Sequence, residues 1–468
     1  MPFRGEIANK ASHMDIVKNP DVEKFLENCK YLRDPSDEEL KTIIDRFVSV
    51  GDIKNEYLPQ YLVATDGSYY EASVNSRFPS TKVAFLKFGT ILINLNEYRS
   101  LNYQSTPLLD PFKVAALEDN NTAVTLTLPS ANVTVKGRKS VQESFRSELE
   151  KWFSDNRTKI DDSDDDSSLL STLYLMASNR ADELRTGDPT IIRIHKCPTC
   201  GHAPKEGILI RRDNENYCPE CKSEVFATDC LRIWEEVSEY QSNGTALGRL
   251  MMVVEHLLPI HYIRHLMKKN PSILESLVFF VDGPLAIFGN CAWLHRPIMQ
   301  YYYETFKRLG EMGFEAPIIM GVQKSGQIVD FVNLISEEIE PGKLLLITDE
   351  YRYKYIYAGR ELAQNGFGYE TYYGQDFIFK TPSGRSFVFA LPFPAASKSP
   401  AESFLRKKED LKSYANLKRA LAALYHFESD MYENALVPIA LAHKYTAISL
   451  APGGQVLNLF SRSIVNKA

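Results

Sequence analysis

Two apolar runs in this chain end in the same pair of residues. Tyr61-Leu-Val-Ala-Thr leads into Asp66-Gly67-Ser68, and Leu277-Val-Phe-Phe-Val leads into Asp282-Gly283-Pro284. An aspartate at the carboxyl end of a buried strand points its carboxylate into a crevice. The following glycine permits a sharp turn and the close approach of a ligand. Either pair alone is an ordinary Asp-Gly turn. On neighbouring strands the two would offer the oxygen donors that Mg²⁺ or Mn²⁺ prefers. Such ions clamp the attacking and leaving oxygens of a phosphodiester. Asp66 and Asp282 are therefore the first candidates for a catalytic metal site.

A third acid is expected from the helix over 141–153, where Val141, Phe145, Leu149, Trp152 and Phe153 share one face. At the α-helical period Glu148 lies about 60° from the centre of that stripe and Glu150 about 140°. Glu148 borders the buried face and is the expected third ligand, with Glu150 toward solvent. A surface ion pair is the competing reading of Glu148. Lys324 sits in Gly321-Val-Gln-Lys-Ser-Gly326, a small-residue turn that opens a helix. Such a turn presents N–H groups to a phosphate and the lysine adds charge. Its spacing is not that of a Walker A loop, so nucleotide hydrolysis is not read here. Asp349 follows another apolar run, Leu344-Leu-Leu-Ile-Thr348. His443, among the small residues of Ala440-Leu-Ala-His-Lys-Tyr445, is a candidate metal ligand or proton carrier.

A separate metal site is written in the cysteines. Cys197-Pro-Thr-Cys200 and Cys218-Pro-Glu-Cys221 are two Cys-x-x-Cys knuckles with 17 residues between them, the pattern of a four-cysteine zinc ribbon. Four thiolates leave no open coordination position, so this zinc is read as structural. Cys29, Cys230 and Cys291 have no pairing logic and are expected to be apolar fillers.

The elements that must position these residues can be read from period. Residues 1–60 are read as helical, with a start signal at Asp34–Asp37. Residues 61–137 read as an antiparallel meander through 83–95, 123–128 and 132–135. The run Asp161-Asp-Ser-Asp-Asp-Asp166 reads as a solvated linker, since it lacks the mid-loop Gly and final Glu of an EF-hand. A strong amphipathic helix over 247–268 contains Pro259. Beyond it strands and helices alternate: strand 277–281, helix 296–310, strand 317–322, helix 325–338, strand 344–348. A strand at 386–392 and helices at 401–426 and 431–448 follow. Alternation implies parallel pairing. The expected fold is α/β: an RNase H-like mixed sheet flanked by helices, with the zinc ribbon inserted. The expected divisions are an N-terminal helical segment 1–60, a first half of the sheet domain 61–189, the ribbon 190–230, and a second half 231–468.

Bulk properties narrow the class. The chain has 468 residues, 44% hydrophobic and 24% charged, with a net charge of −6. A nucleic-acid partner would have to be held by a local basic groove. No stretch approaches the roughly 20 apolar residues of a membrane helix, and residues 1–14 lack the apolar core of a signal peptide. The expected location is cytoplasmic, where paired cysteines bind metal instead of forming disulfides.

The ordered set of Asp66-Gly-Ser, Asp282-Gly, the Gly-x-x-Lys-Ser turn at 321–325, the strand ending in Asp349 and the Ala-His-x-Tyr helix at 442–445 resembles the NurA nucleases. The likeness runs through residues 60–450, with the ribbon as an insertion. The resemblance implies an RNase H-like fold, a homodimer, and manganese- or magnesium-dependent cleavage of DNA ends. It also implies coupling to a HerA-type hexameric ATPase translocase, in DNA repair or in anti-phage defence. It carries the metal site onto Asp66, Asp282 and His443, and accessory positions onto Lys324 and Asp349; the helix acid is Glu148 or Glu150. The zinc ribbon departs from the minimal family pattern. Two other classes compete: a non-catalytic adaptor whose ribbon binds an ATPase or nucleic acid, and an Argonaute-type RNase H-like protein. The latter would need a more basic surface than a charge of −6 supplies.

Overall fold

The structure is a computed structural model and describes residues 13–29, 34–53, 56–100, 121–357, 365–428, 436–449 and 453–465. The chain divides into two compact units, Met1–Asp45 and Arg46–Ala468. The first contains helices Met14–Val17, Pro20–Glu27 and Asp37–Ile44. Asp37–Ile44 begins with a full capping box. The Ser36 hydroxyl accepts from the Glu39 N–H, and the Glu39 carboxylate accepts from the Ser36 N–H. The helical N-terminal reading thus holds to Ile44 and not to 60.

The second unit is built on one nine-stranded mixed sheet. In chain order its strands are β1 Val48–Ser49, β2 Tyr61–Ser73, β3 Lys82–Asn94, β4 Asn121–Pro129, β7 Leu277–Asp282, β8 Ile318–Gln323, β9 Lys343–Leu346, β10 Gly374–Lys380 and β11 Ser386–Pro392. Between β4 and β7, β5 Ile191–Ile194 and β6 Ile208–Arg211 pair with each other as a separate hairpin. The large sheet runs β1-β9-β10-β11-β8-β7-β2-β3-β4. β2, β3 and β4 are antiparallel; β7 lies parallel to β2 and β8 parallel to β7. The parallel pairing expected from alternation is therefore present in β2-β7-β8. β9, β10 and β11 extend the sheet antiparallel. β10 lies in a stretch that sequence periodicity did not mark. Residues 132–135, read as a strand, form a turn.

Alternation along the central strands sends their side chains to two cores. Val63, Phe279 and Val281 face one core, which holds helices Val141–Ser154, Leu169–Ser178 and Gly244–Lys269. Leu62, Ala64, Val278 and Phe280 face the other, with helices Leu417–Phe427 and Val437–Thr446. The sheet is thus covered on both faces, as its parallel strands require. Gly244–Lys269 runs unbroken through Pro259. The segment read as one helix over 401–426 is two, Ala401–Lys408 and Leu417–Phe427. Of the expected helix 431–448, residues 431–435 lie outside the described residues.

The acidic run lies at the surface, as expected, with Asp162, Ser163 and Asp165 exposed, but ion pairs tie it to the fold. Asp161 pairs with Lys269 (3.1 Å), Asp164 with Lys268 (3.0 Å) and Asp165 with Lys159 (2.8 Å). Asp166 bridges Arg212 (2.7 Å) and Arg264. Basic residues distant in sequence converge on it, and a linear reading cannot see them. Among the described residues no helix is long and apolar enough to cross a membrane.

Candidate active site and cysteine metal centre

β2 and β7 are in register from Tyr61 opposite Leu277 to Thr65 opposite Val281. The next rung carries Asp66 and Asp282, so the two Asp-Gly signals meet on adjacent parallel strands, but only Asp282 ends its strand. β2 runs on through Asp66-Gly67-Ser68 to Ser73, paired with β3 throughout, so the turn expected after Asp66 is absent. Both side chains fall on the face of Leu62, Ala64 and Phe280. The Gly283 N–H donates to the Val322 carbonyl (2.8 Å), which extends the β7–β8 ladder one residue past Asp282. Gly283 has φ +93°, a conformation that residues with a Cβ resist. Lys324 follows β8 directly and its Nζ lies 2.8 Å from the Asp282 carboxylate.

Asp66 is only 3% exposed. Helix Val437–Thr446 covers it: the Thr446 hydroxyl donates to Asp66 Oδ2, and His443 Nδ1 stands 3.5 Å from the same oxygen. Gly89 lies opposite Asp66 on β3. A Cβ there would meet Thr446 Cγ2 at 2.7 Å and the Tyr445 ring at 2.9 Å. The missing side chain is what lets this helix close on the strand. Burial raises the Asp66 carboxyl above its usual range. Thr446, His443 and Lys324 oppose that shift, and the Asp282 charge adds to it.

The third acid comes from the opposite face of the sheet, and it is Glu255. Its Oε1 accepts from the Gly67 N–H at 2.7 Å, beside Asp66. A Cβ on Gly67 would meet Met251 at 2.7 Å and Glu255 Oε1 at 3.0 Å, so Gly67 makes room for the carboxylate as well as binding it. Glu255 is half-buried. Burial first, then the charges of Asp66 and Asp282, push its carboxyl well above the ordinary range. Sequence reasoning missed it because it looked to the wrong helix. One signal was available: Glu255 is the lone carboxylate in the otherwise apolar and basic run Gly244–Lys269.

Glu148 and Glu150 therefore need correction. Glu148 pairs with Lys151 (2.6 Å), one turn along its own helix. Glu150 does not face solvent. It accepts from the backbone N–H groups of Ala227 (3.3 Å) and Thr228 (2.9 Å), on the chain returning from the cysteine insertion. A helical wheel ranks one buried face, and this helix has a second partner that only the insertion supplies. Asp349 also stands apart. β9 runs antiparallel to β7 and four strand spacings from it, roughly 19 Å. Its carboxyl end thus leads away from the Asp66 site. There Asp349 pairs with buried Lys408 (2.5 Å) and accepts from the Phe367 N–H (3.0 Å). The order strand-then-Asp was right; strand direction removed it from the site.

The four knuckle cysteines converge as their spacing predicts. Cys197 and Cys221 sulfurs lie 3.7 Å apart, Cys200 and Cys218 sulfurs 3.8 Å, and all four within 4.8 Å. Four Zn–S bonds of about 2.3 Å at tetrahedral angles imply sulfurs roughly 3.8 Å apart. The donor set and its spacing fit a metal ion such as zinc. Knuckle turns hold it: the Gly201 N–H donates to the Cys197 carbonyl, and the Lys222 N–H to that of Cys218. Cys230 and Cys291 are buried, as expected, whereas Cys29 is only half-buried. Among the described residues, this is the group of three or more His, Cys, Asp or Glu whose ligand atoms close to that distance. A cavity of about 560 Å³ is lined by residues that include Met176, Arg264, Tyr301 and Arg308, and no carboxylate of the Asp66 site lines it.

No protein-family model matches this chain, and no curated protein matches it.

Proposed function

We propose that the chain is a metal-dependent deoxyribonuclease of RNase H-like architecture, related in design to the NurA nucleases it resembles. One observation carries the reading. Asp66 and Asp282 sit side by side on adjacent parallel strands, and Glu255 binds the Gly67 N–H beside them from the other face. One lysine and one exposed histidine contact the pair, although among the described residues these donor atoms do not close to 4.8 Å as the cysteine sulfurs do. Folding alone gives no reason to gather three carboxylates in a half-buried place, because like charges there are costly. Divalent cations relieve that cost and are what such oxygen donors hold. The strand arrangement β4-β3-β2-β7-β8, three antiparallel strands then two parallel ones, supports the RNase H-like reading.

A bound Mn²⁺ or Mg²⁺ would supply charge stabilisation to the phosphoryl oxygens. Asp66, Asp282 and Glu255 would hold it, drawing closer than they stand. Lys324 occupies Asp282 as the resident cation and is placed to transfer its charge to a phosphate oxygen. His443, exposed beside Asp66, is placed to carry a proton or to complete the ligand set. A metal in the cysteine cluster would be structural. Action at DNA ends, a HerA-type ATPase partner and a homodimer are the wider proposal and rest on the resemblance.

The test compares Asp66→Asn and Glu255→Gln with the parent protein. Manganese-dependent cleavage of linear DNA should vanish in both, and calorimetric manganese binding should weaken, with melting temperatures no lower than the parent's. Full cleavage by either variant would sink the assignment.

A further inference from the structure

Lys324 is not the only lysine beside the acid pair. Lys87 lies on β3 opposite Ser68, two residues beyond Asp66 on β2, so it shares the face of Asp66. Its Nζ donates to the Tyr445 carbonyl and stands 4.1 Å from the centre of the Tyr445 ring. Tyr445 adjoins Thr446, which caps Asp66. Lys87 is half-buried, and among the described residues no carboxylate pairs with it. That separates it from Lys324, which spends its charge on Asp282.

The two lysines bracket the acids. Along the sheet the order is Lys324 on the end of β8, Asp282 on β7, Asp66 on β2, Lys87 on β3. From β8 to β3 is three strand spacings, roughly 14 Å. A polyanion lying along this end of the sheet, beside the helix Val437–Thr446 that covers Asp66, would have a cation on each side of the carboxylate pair. A lone cation with two unused donors, held in place by a carbonyl and a ring, is suited to a phosphate oxygen.

We infer that Lys87 is a phosphate-binding residue that holds the nucleic-acid backbone on the far side of the acid pair from Lys324. This inference rests on the nuclease reading above and deepens it: the substrate strand lies along this end of the sheet, from Lys324 to Lys87. Lys87 acts on positioning, not on the chemical step.

The experiment measures binding without cleavage. Short fluorescein-labelled single- and double-stranded oligodeoxynucleotides are titrated with full-length protein, with no divalent ion, over a series of salt concentrations. Lys87→Gln keeps an N–H donor for the Tyr445 carbonyl and removes the charge; Lys87→Arg keeps the charge. Lys87→Gln should bind about 5- to 10-fold more weakly. Its salt dependence should be shallower by about 0.7–0.9 in log–log slope, the loss of one phosphate contact. Lys87→Arg should restore both. A purely structural Lys87 would leave the slope unchanged. Tight binding by the parent with an unchanged slope in Lys87→Gln overturns the Lys87 role and leaves the nuclease reading standing. No binding of either oligonucleotide by the parent overturns both. Should Lys87→Gln fail to fold, failure of Lys87→Arg to match the parent slope overturns the role.

Discussion

The sheet carries two groups of acids, and they are built on opposite principles. At the β9–β10 edge each carboxylate has its own buried cation. Asp349 pairs with Lys408 at 2.5 Å; Asp376 pairs with Arg352 at 2.7 Å and accepts from Gln323 at 2.8 Å. At the β2–β7 edge three carboxylates share Lys324 and an exposed histidine, and Glu255 has a single backbone N–H. The first arrangement is balanced within the protein. The second is short of positive charge, which is what the proposed cation would supply. Charge balance, more than the presence of acids at strand ends, therefore separates scaffold from candidate site.

The comparison breaks most visibly through Asp376. Asp376→Ala should cost about 3–5 kcal/mol, because the Arg352 guanidinium is left buried and unpaired. Chemical denaturation reads this directly. A loss below about 1 kcal/mol would mean that the β9–β10 group is not balanced by pairing.

Gly67→Ala comes next. Its Cβ would press on Met251 and Glu255, and overpacking of this kind costs about 1–3 kcal/mol. It should also displace the carboxylate, so manganese binding should fall more than stability does. Equal binding in the variant would remove Gly67 from the site's construction.

Glu255→Gln should behave in the reverse sense to Asp376→Ala. The Glu255 carboxyl sits well above its ordinary range in the folded chain, so the fold binds its proton more tightly than the unfolded chain does. Stability from this group is full below the unfolded value and is lost as pH rises toward the folded one. Replacing it with Gln should therefore stabilise the protein increasingly above about pH 4.5. Added manganese should raise the melting temperature of the parent more than that of the variant. Loss of stability in the variant at neutral pH would place Glu255 with the balanced group.

His443→Ala is the smallest effect on stability. The side chain is 57% exposed, so its pair with Asp66 is screened and contributes within about 0.5 kcal/mol. Cleavage should fall sharply while the denaturation curve barely moves. Unimpaired cleavage would leave His443 a bystander.

Much of this protein was determined by sequence alone, wherever the relevant chemistry is local. The cysteine knuckles specify their own cluster because Cys-x-x-Cys sets two donors within one turn. The apolar runs leading to Asp66 and Asp282 specify buried strands, although only Asp282 ends its strand. The alternation after residue 277 specifies the parallel pairing of β7 with β8 but not the antiparallel β9. Three things were decided only by the tertiary structure. Strand order and direction took Asp349 away from the Asp66 site. The chain returning from the cysteine insertion claimed Glu150. The packing of Gly244–Lys269 brought Glu255, not Glu148, to Asp66. Each depends on which element lies beside which, and periodicity reports that a face is buried without reporting what buries it.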